Sequence, residues 1–240
     1  MKGLTAIITG AGGGIGRAVA IALAKKGVNL ALLGGRNKDK LNETLNEVLS
    51  YKVKATAILG DITNEEFLSD SVNKIANEFG GIDILINNAG VAQNASVMQT
   101  TIQEFDKIMN INVRAPFVLT QFTLPHLKNS NRASIINIGS VVSHAGYPNQ
   151  SAYSASKHAL LGFTKSLASE VYKDGIRVHA VCPGGVYTDM VKISRPDLTG
   201  EGMIQPSDIA DIVIFLLENR TNAVIDEILV HRVNKEPFLV

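Results

Sequence analysis

Short apolar runs alternate with longer amphipathic segments along the whole chain. Residues 4–9 (LTAIIT) predict a strand, and 14–27 (GIGRAVAIALAKKG) carry apolar residues at helical spacing up to a Lys-Lys-Gly stop. Residues 28–34 predict the second strand. Residues 37–50 predict an amphipathic helix with Leu41, Leu45, Val48 and Leu49 on one face. Strand 53–60, helix 64–80 and strand 82–87 follow. Residues 101–128 predict one long helix interrupted by Pro116 and Pro125, then a strand at 133–140. A helix from Ser151 to about Tyr172 precedes the sixth strand, 176–182. Residues 183–205 read as loop, 206–219 as a helix and 223–233 as a seventh strand.

These strands are too apolar to expose one face to water, which is the mark of a parallel sheet covered by helices on both faces. The expectation is an α/β fold: a doubly wound Rossmann domain with a seven-stranded parallel sheet, one domain spanning 1–240. Ligands then bind at the carboxyl ends of the strands near the switch point.

Composition narrows the function. Of 240 residues, 45% are hydrophobic and 19% charged, and the net charge of +1 offers no bulk attraction to nucleic acid or anionic membrane. No apolar run approaches the roughly 20 residues of a membrane span, and the N-terminus lacks a signal-peptide pattern. One cysteine, Cys182, excludes an intramolecular disulfide and reads as a buried thiol. The histidines at 126, 144, 158, 179 and 231 lack H-x-x-x-H spacing, so no metal is expected. A reducing, cytoplasmic setting follows.

A glycine-rich turn, TGAGGGIGRA, joins the first strand to the first helix. Its glycines let backbone N–H groups approach a phosphate. G-x-G-x-x-G fails because Ile15 stands at the third glycine, and no Walker lysine follows. The fitting pattern is T-G-x-x-x-G-x-G, with Thr9, Gly10, Gly14 and Gly16, and Gly12, Gly13 and Ile15 between them. After the second strand comes GGRN, with no acid before Asp39 to bind a ribose 2′-hydroxyl. Arg36, behind the small Gly35, can instead grip a 2′-phosphate. NADP(H) is therefore expected over NAD(H).

Tyr153 and Lys157 stand four apart in SAYSASKHALLGF, neighbours on one helix face. Taken alone, the pair fits either a solvated lysine beside a tyrosine or a proton donor tuned by a charge. Seven motifs in order decide more: the glycine turn, GDIT (60–63), NNAG (87–90), Asn112 in NINVRAPF, Ser140 in INIGS, Tyr153-x-x-x-Lys157, and PGGVYT (183–188). Together they resemble the short-chain dehydrogenase/reductase family over most of the chain. The resemblance implies Asn112, Ser140, Tyr153 and Lys157 as catalytic residues. It places Asp61 and Ile62 at the adenine, Asn88, Ala89 and Gly90 along the cofactor, and Asn87 in the central sheet. Pro183, Gly184, Val186 and Thr188 fall on the nicotinamide and diphosphate side, and Lys157 on the nicotinamide ribose. Chemically, a lysine ammonium lowers the phenol pKa of Tyr153 from about 10, and Ser140 donates to the same carbonyl oxygen; the resemblance further implies that Asn112, with a water, extends a proton relay behind the lysine.

The implied reaction is reduction of a ketone or aldehyde. Many members of that family are 3-oxoacyl-carrier-protein reductases, and that substrate is the alternative. Two departures count against it: Asp174 and Asn131 stand where those enzymes carry carrier-binding arginines, and the closing segment, NAVIDEILVHRVNKEPFLV, is divergent. A lesser alternative is a non-catalytic NADP(H)-sensing module. The expected lid is 188–205, with Met190, Val191, Ile193, Arg195, Asp197 and Glu201. His144, Tyr147, Pro148 and Gly185 are expected to line the substrate pocket. Family habit implies a homotetramer or homodimer through the helices at 101–128 and 150–172.

Overall fold

The computed structural model describes residues 1–35, 37–194 and 199–236. Seven parallel strands form one sheet: β1 Thr5–Thr9, β2 Asn29–Gly34, β3 Ala55–Leu59, β4 Ile84–Asn87, β5 Ser134–Ile138, β6 Arg177–Pro183 and β7 Glu227–Val230. Their order is β3-β2-β1-β4-β5-β6-β7. The chain runs outward one way from β1 and then the other way from β4, so a crevice opens between those two strands at their carboxyl ends. The expected doubly wound sheet is what forms.

Helices α1 (Gly14–Lys25), α2 (Lys38–Leu49) and α8 (Pro206–Glu218) cover one face, and α3 (Glu65–Phe79), α5 (Ala115–Leu127) and α6 (Ser151–Val171) the other. Alternation along β1 and β2 feeds both layers. Ala6, Ile8, Leu30 and Leu32 join the first core, while Ile7, Ala31 and Leu33 join the second. The edge strands differ: β3 is half-buried except for exposed Leu59, and β7 is half-buried throughout.

Element ends follow local chemistry. The Asn37 side chain accepts the N–H of Lys40 and that of Asn64 the N–H of Phe67, capping α2 and α3. On α2, Leu41 and Val48 are buried as expected, but Leu49 is exposed.

Two segments depart from the sequence pattern. The long helix at 101–128 is three pieces: α4 (Ile102–Met109), a π-helical turn (Asn110–Arg114) and α5. Pro116 lies in the first turn of α5, where a missing N–H is tolerated, and Pro125 stays inside that helix. The stretch read as loop also contains a short helix, α7 (Asp189–Ser194), whose six residues are too few to show a period. Arg36, and Arg195 and Asp197 of the expected lid, lie outside the described residues.

Candidate active site

A cleft of about 360 Å³ opens at the carboxyl ends of the strands. Gly10, Gly12, Gly13, Gly14 and Ile15 line its floor. Asn88, Ala89, Gly90, Ser140, Tyr153 and Lys157 form one wall, and Pro183, Gly184, Val186 and Thr188 another. Residues from five of the seven scattered motifs thus share one space, while GDIT and Asn112 lie outside its lining.

The floor is held by two clamps. The Thr9 hydroxyl accepts the N–H of Asn88 (3.0 Å) and of Ala89 (3.0 Å), and the Asn88 amide donates to the carbonyls of Thr9 (2.9 Å) and Gly10 (3.3 Å). The glycine turn is thereby fastened to the loop after β4. Gly10 turns with φ 68°, a conformation that favours glycine. Gly16 does not line the cleft: a Cβ there would stand 2.3 Å from the Gly10 carbonyl oxygen. Its role is close packing of helix on turn.

The N-terminus of α1 faces this floor with no side-chain cap and no acid in its first turn. Its free N–H groups and positive dipole end suit an anion. A Cβ on Gly13 would meet nothing within 4 Å, so the space above the turn is open. These features fit the diphosphate of a dinucleotide.

Asp61 and Ile62 stand apart from the cleft. The Asp61 carboxylate accepts the N–H (2.9 Å) and hydroxyl (2.8 Å) of Thr63, and Ile62 packs toward the core with Leu68. The local turn organises Asp61, as expected of an Asp two residues before a backbone donor.

On the other wall, Ser140 lies two residues beyond β5 and caps a 3₁₀ turn at Val141–Ser143. Tyr153 and Lys157 lie on the first turns of α6. The Lys157 ammonium donates to the Ile138 carbonyl (2.8 Å) and sits 5.8 Å from the centre of the Tyr153 ring. Burial brings the Lys157 pKa down to about 8. Burial also pushes the Tyr153 phenol up from its ordinary value, against the opposing pull of its hydrogen bond with Ser140. This reverses the expected direction for Tyr153. The reason is that the phenol is removed from water, which outweighs its hydrogen bond with Ser140.

Asn112 is buried in the π-helical turn. Its Oδ1 accepts the N–H of Val91 (2.9 Å), and its amide donates to the Val91 carbonyl (2.9 Å) and the Ser156 hydroxyl (3.0 Å). Both ends of the side chain therefore serve as a clamp between loop and α6. A buried polar chain reinforces this: Asn87 donates to Asn137 (2.8 Å), and Asn137 to Thr164 of α6 (2.8 Å). Asn87 thus takes the sheet position expected of it.

Sequence reasoning missed Gln93. Its Oε1 accepts the N–H of Ala152 (2.9 Å) and Tyr153 (3.3 Å), and its amide donates to Thr100. Gln150, the residue before α6, offers no side-chain cap, so Gln93 supplies one from a distant loop. A separation of 60 residues leaves no local capping signal. Of the expected pocket residues, Met190 and Val191 line the cleft, whereas His144, Tyr147, Pro148 and Gly185 do not.

The sheet order, the glycine turn and the Ser-Tyr-Lys wall define a dinucleotide-binding oxidoreductase. The chain matches the short chain dehydrogenase family over residues 4–199 and belongs to it. It is 32% identical over 224 residues to the 3-oxoacyl-[acyl-carrier-protein] reductase FabG of Staphylococcus epidermidis, covering 90% of this chain and 92% of that one. To general stress protein 39 of Bacillus subtilis it is 37% identical over 200 residues, 83% of this chain and 69% of that one. Among solved structures, levodione reductase superposes with a TM-score of 0.88 at 29% identity, covering 96% of each chain. A short chain dehydrogenase from Mycobacterium paratuberculosis bound to NAD gives 0.87 at 28% identity, again covering 96% of each. Among the described residues, no helix is long and apolar enough to cross a membrane.

Proposed function

We propose that the protein is an NADP(H)-dependent carbonyl reductase using Asn112, Ser140, Tyr153 and Lys157. The observation that carries this is the placement of Ser140, Tyr153 and Lys157 in one cleft with the uncapped glycine turn. The bound nicotinamide supplies the hydride. The chain's own part is orientation and proton delivery. With its pKa raised, Tyr153 is a neutral phenol at pH 7 and holds the proton that the new alkoxide oxygen requires. Ser140 donates a second hydrogen bond to that oxygen. Lys157 stays charged below about pH 8 and favours phenolate once the proton has left. Since the Asn112 side chain is occupied, its part in a relay falls to its main-chain carbonyl, to which Pro116 has no N–H to give.

Gly10, Gly12, Gly13, Gly14, Ile15, Asn88, Ala89, Gly90, Pro183, Gly184, Val186 and Thr188 line the cofactor space. NADP(H) is preferred because the turn after β2 reads GGRNK without an acid, and Lys40 lines the same cleft. Gly16 is assigned to packing, and Asp61 and Ile62 to the adenine end. The substrate is a small ketone or aldehyde. One domain, a cytoplasmic setting and self-association complete the proposal. Exposed Phe117, 5.3 Å from Phe163, and exposed Ile102 and Phe105 supply apolar surface for a homodimer or homotetramer.

A second reading is a 3-oxoacyl-carrier-protein reductase, favoured by the names of the 30–32% identical relatives. Asp174, the residue that would repel an acidic carrier, is ion-paired with Lys128 at 2.9 Å, which mutes the repulsion. A cofactor-sensing module without catalysis is disfavoured by the presence of Tyr153 and Lys157 in the cleft.

A substrate panel tests these readings. Cyclic diketones and acetoacetyl thioesters are each supplied with NADPH and with NADH. Faster turnover of diketones with NADPH supports the proposal. Preference for carrier-bound acetoacetyl groups favours the second reading, and a clear NADH preference overturns the cofactor assignment. Tyr153→Phe should lower kcat at least about 100-fold while retaining cofactor binding by fluorescence.

A further inference from the structure

The fold gathers three potential metal ligands that chain spacing keeps apart. His144 follows the 3₁₀ turn after β5, Cys182 lies on β6 and Glu227 opens β7, at separations of 38 and 45 residues. Their ligand atoms all lie within 4.8 Å of one another. Glu227 pairs with Ala180 in the sheet register, two residues from Cys182, so carboxylate and thiol share the face toward α6. His144 contacts the Glu227 carboxylate through Nε2.

We propose that His144, Cys182 and Glu227 form a zinc site that ties the loop after β5 to strand β7. The donor set is one sulfur, one imidazole nitrogen and one carboxylate oxygen, with a fourth position for water. Zinc–ligand bonds of about 2.0–2.3 Å place tetrahedral ligands about 3.3–3.6 Å apart, so on binding the wider separations, up to 4.8 Å, close and the His144–Glu227 contact opens.

Three features fit such a site. Cys182 is fully buried, whereas His144 and Glu227 are 31% and 23% exposed. A metal can therefore enter from solvent past the histidine and carboxylate and meet the sulfur last. Burial and the Glu227 carboxylate push the Cys182 thiol up to about 12, while hydrogen bonds from the Ser143 side chain and the Ser140 backbone pull the other way and orient the sulfur. Finally, among the described residues, the neighbours of the inward-facing Glu227 carboxylate that can carry positive charge are His144 and Lys165 (4.0 Å). A dication balances thiolate and carboxylate together. On binding, the thiol proton passes to solvent, and His144 coordinates as neutral imidazole.

The test uses the whole protein, stripped with a chelator and titrated with Co²⁺ as a visible probe for zinc. The expected result is one tetrahedral cobalt per chain with a thiolate charge-transfer band, which zinc then bleaches. Cys182→Ser should remove the band. His144→Ala, at the surface, should weaken cobalt binding at least about tenfold with an unchanged circular dichroism spectrum. Absence of the band in the wild type overturns the proposal, as does an unaltered band and affinity in His144→Ala and Glu227→Gln. Neither cofactor nor substrate is present, so the result is independent of the reductase reading.

Discussion

The side chain of Gln93 caps the helix that carries Tyr153: one amide oxygen receives the backbone N–H of Ala152 and of Tyr153 itself. The phenol's position is thus set partly from a loop 60 residues earlier. Gln93→Ala should destabilise the fold by about 1–2 kcal/mol, the scale of a lost N-cap, read from a urea midpoint. It should also lower kcat more than the KM for cofactor. Gln93→Glu, which keeps the acceptor, should recover most of kcat. Equal losses in both variants would mean that capping is not what positions Tyr153.

Lys157 couples stability to activity. Its folded pKa of about 8 lies below the ordinary 10.5. Below pH 8 the folded state carries a buried charge at full cost. Between 8 and 10.5 the unfolded chain binds the proton that the folded chain has released, so this group makes stability rise with pH. At about 1.4 kcal/mol per pH unit, the cost is at most about 3 kcal/mol. Lys157→Met should therefore stabilise the protein by about 1–3 kcal/mol at pH 7, with the gain shrinking from pH 8 and gone by 10.5. Melting across pH 7 to 10 checks this. Turnover by the wild type should fall as pH rises through about 8.

Two glycines of the same turn should fail in different ways. A Cβ on Gly16 meets the Gly10 carbonyl oxygen at 2.3 Å and the Asn88 amide at 2.6 Å. Gly16→Ala should cost about 2–3 kcal/mol of stability through forced overpacking. Gly13 has extended backbone (φ −175°) and open space around its missing Cβ. Gly13→Ala should melt normally yet bind cofactor at least about tenfold more weakly, because its methyl occupies space above an anion-binding helix end. Calorimetry with NADPH separates the two outcomes.

Cofactor preference should depend on Arg36 and Lys40. Lys40 is held by Asp189 at 2.6 Å across the cleft mouth, an exposed pair that a 2′-phosphate can displace. Arg36→Asp should reverse the NADPH/NADH ratio of kcat/KM, and Lys40→Gln should reduce it with little change for NADH. A ratio unmoved by both substitutions would remove the basis for choosing NADP(H).

The fold was largely legible because buried parallel strands and amphipathic helices leave periodic marks. β1, β2, α1 and α2 lie within a few residues of the pattern. The π-helical turn at Asn110–Arg114 was hidden, because its apolar spacing continues that of the flanking helices and only Pro116 marks the break. The short helix α7 has six residues, under two turns, too few to show a helical period.

By itself, the sequence singled out candidates for hydride-transfer chemistry, because Thr9, Gly10, Ser140, Tyr153 and Lys157 occur in motifs that resemble those of the short chain dehydrogenase family. Tertiary structure alone decided their electrostatics and their supports. Burial sets the direction of the Tyr153 pKa, because the folded chain removes the phenol from water. Gln93 reaches α6, and His144 reaches Cys182 and Glu227, only once the sheet brings distant loops to one end. Such contacts depend on strand order and crossover path, and a linear pattern of residue types does not encode either directly.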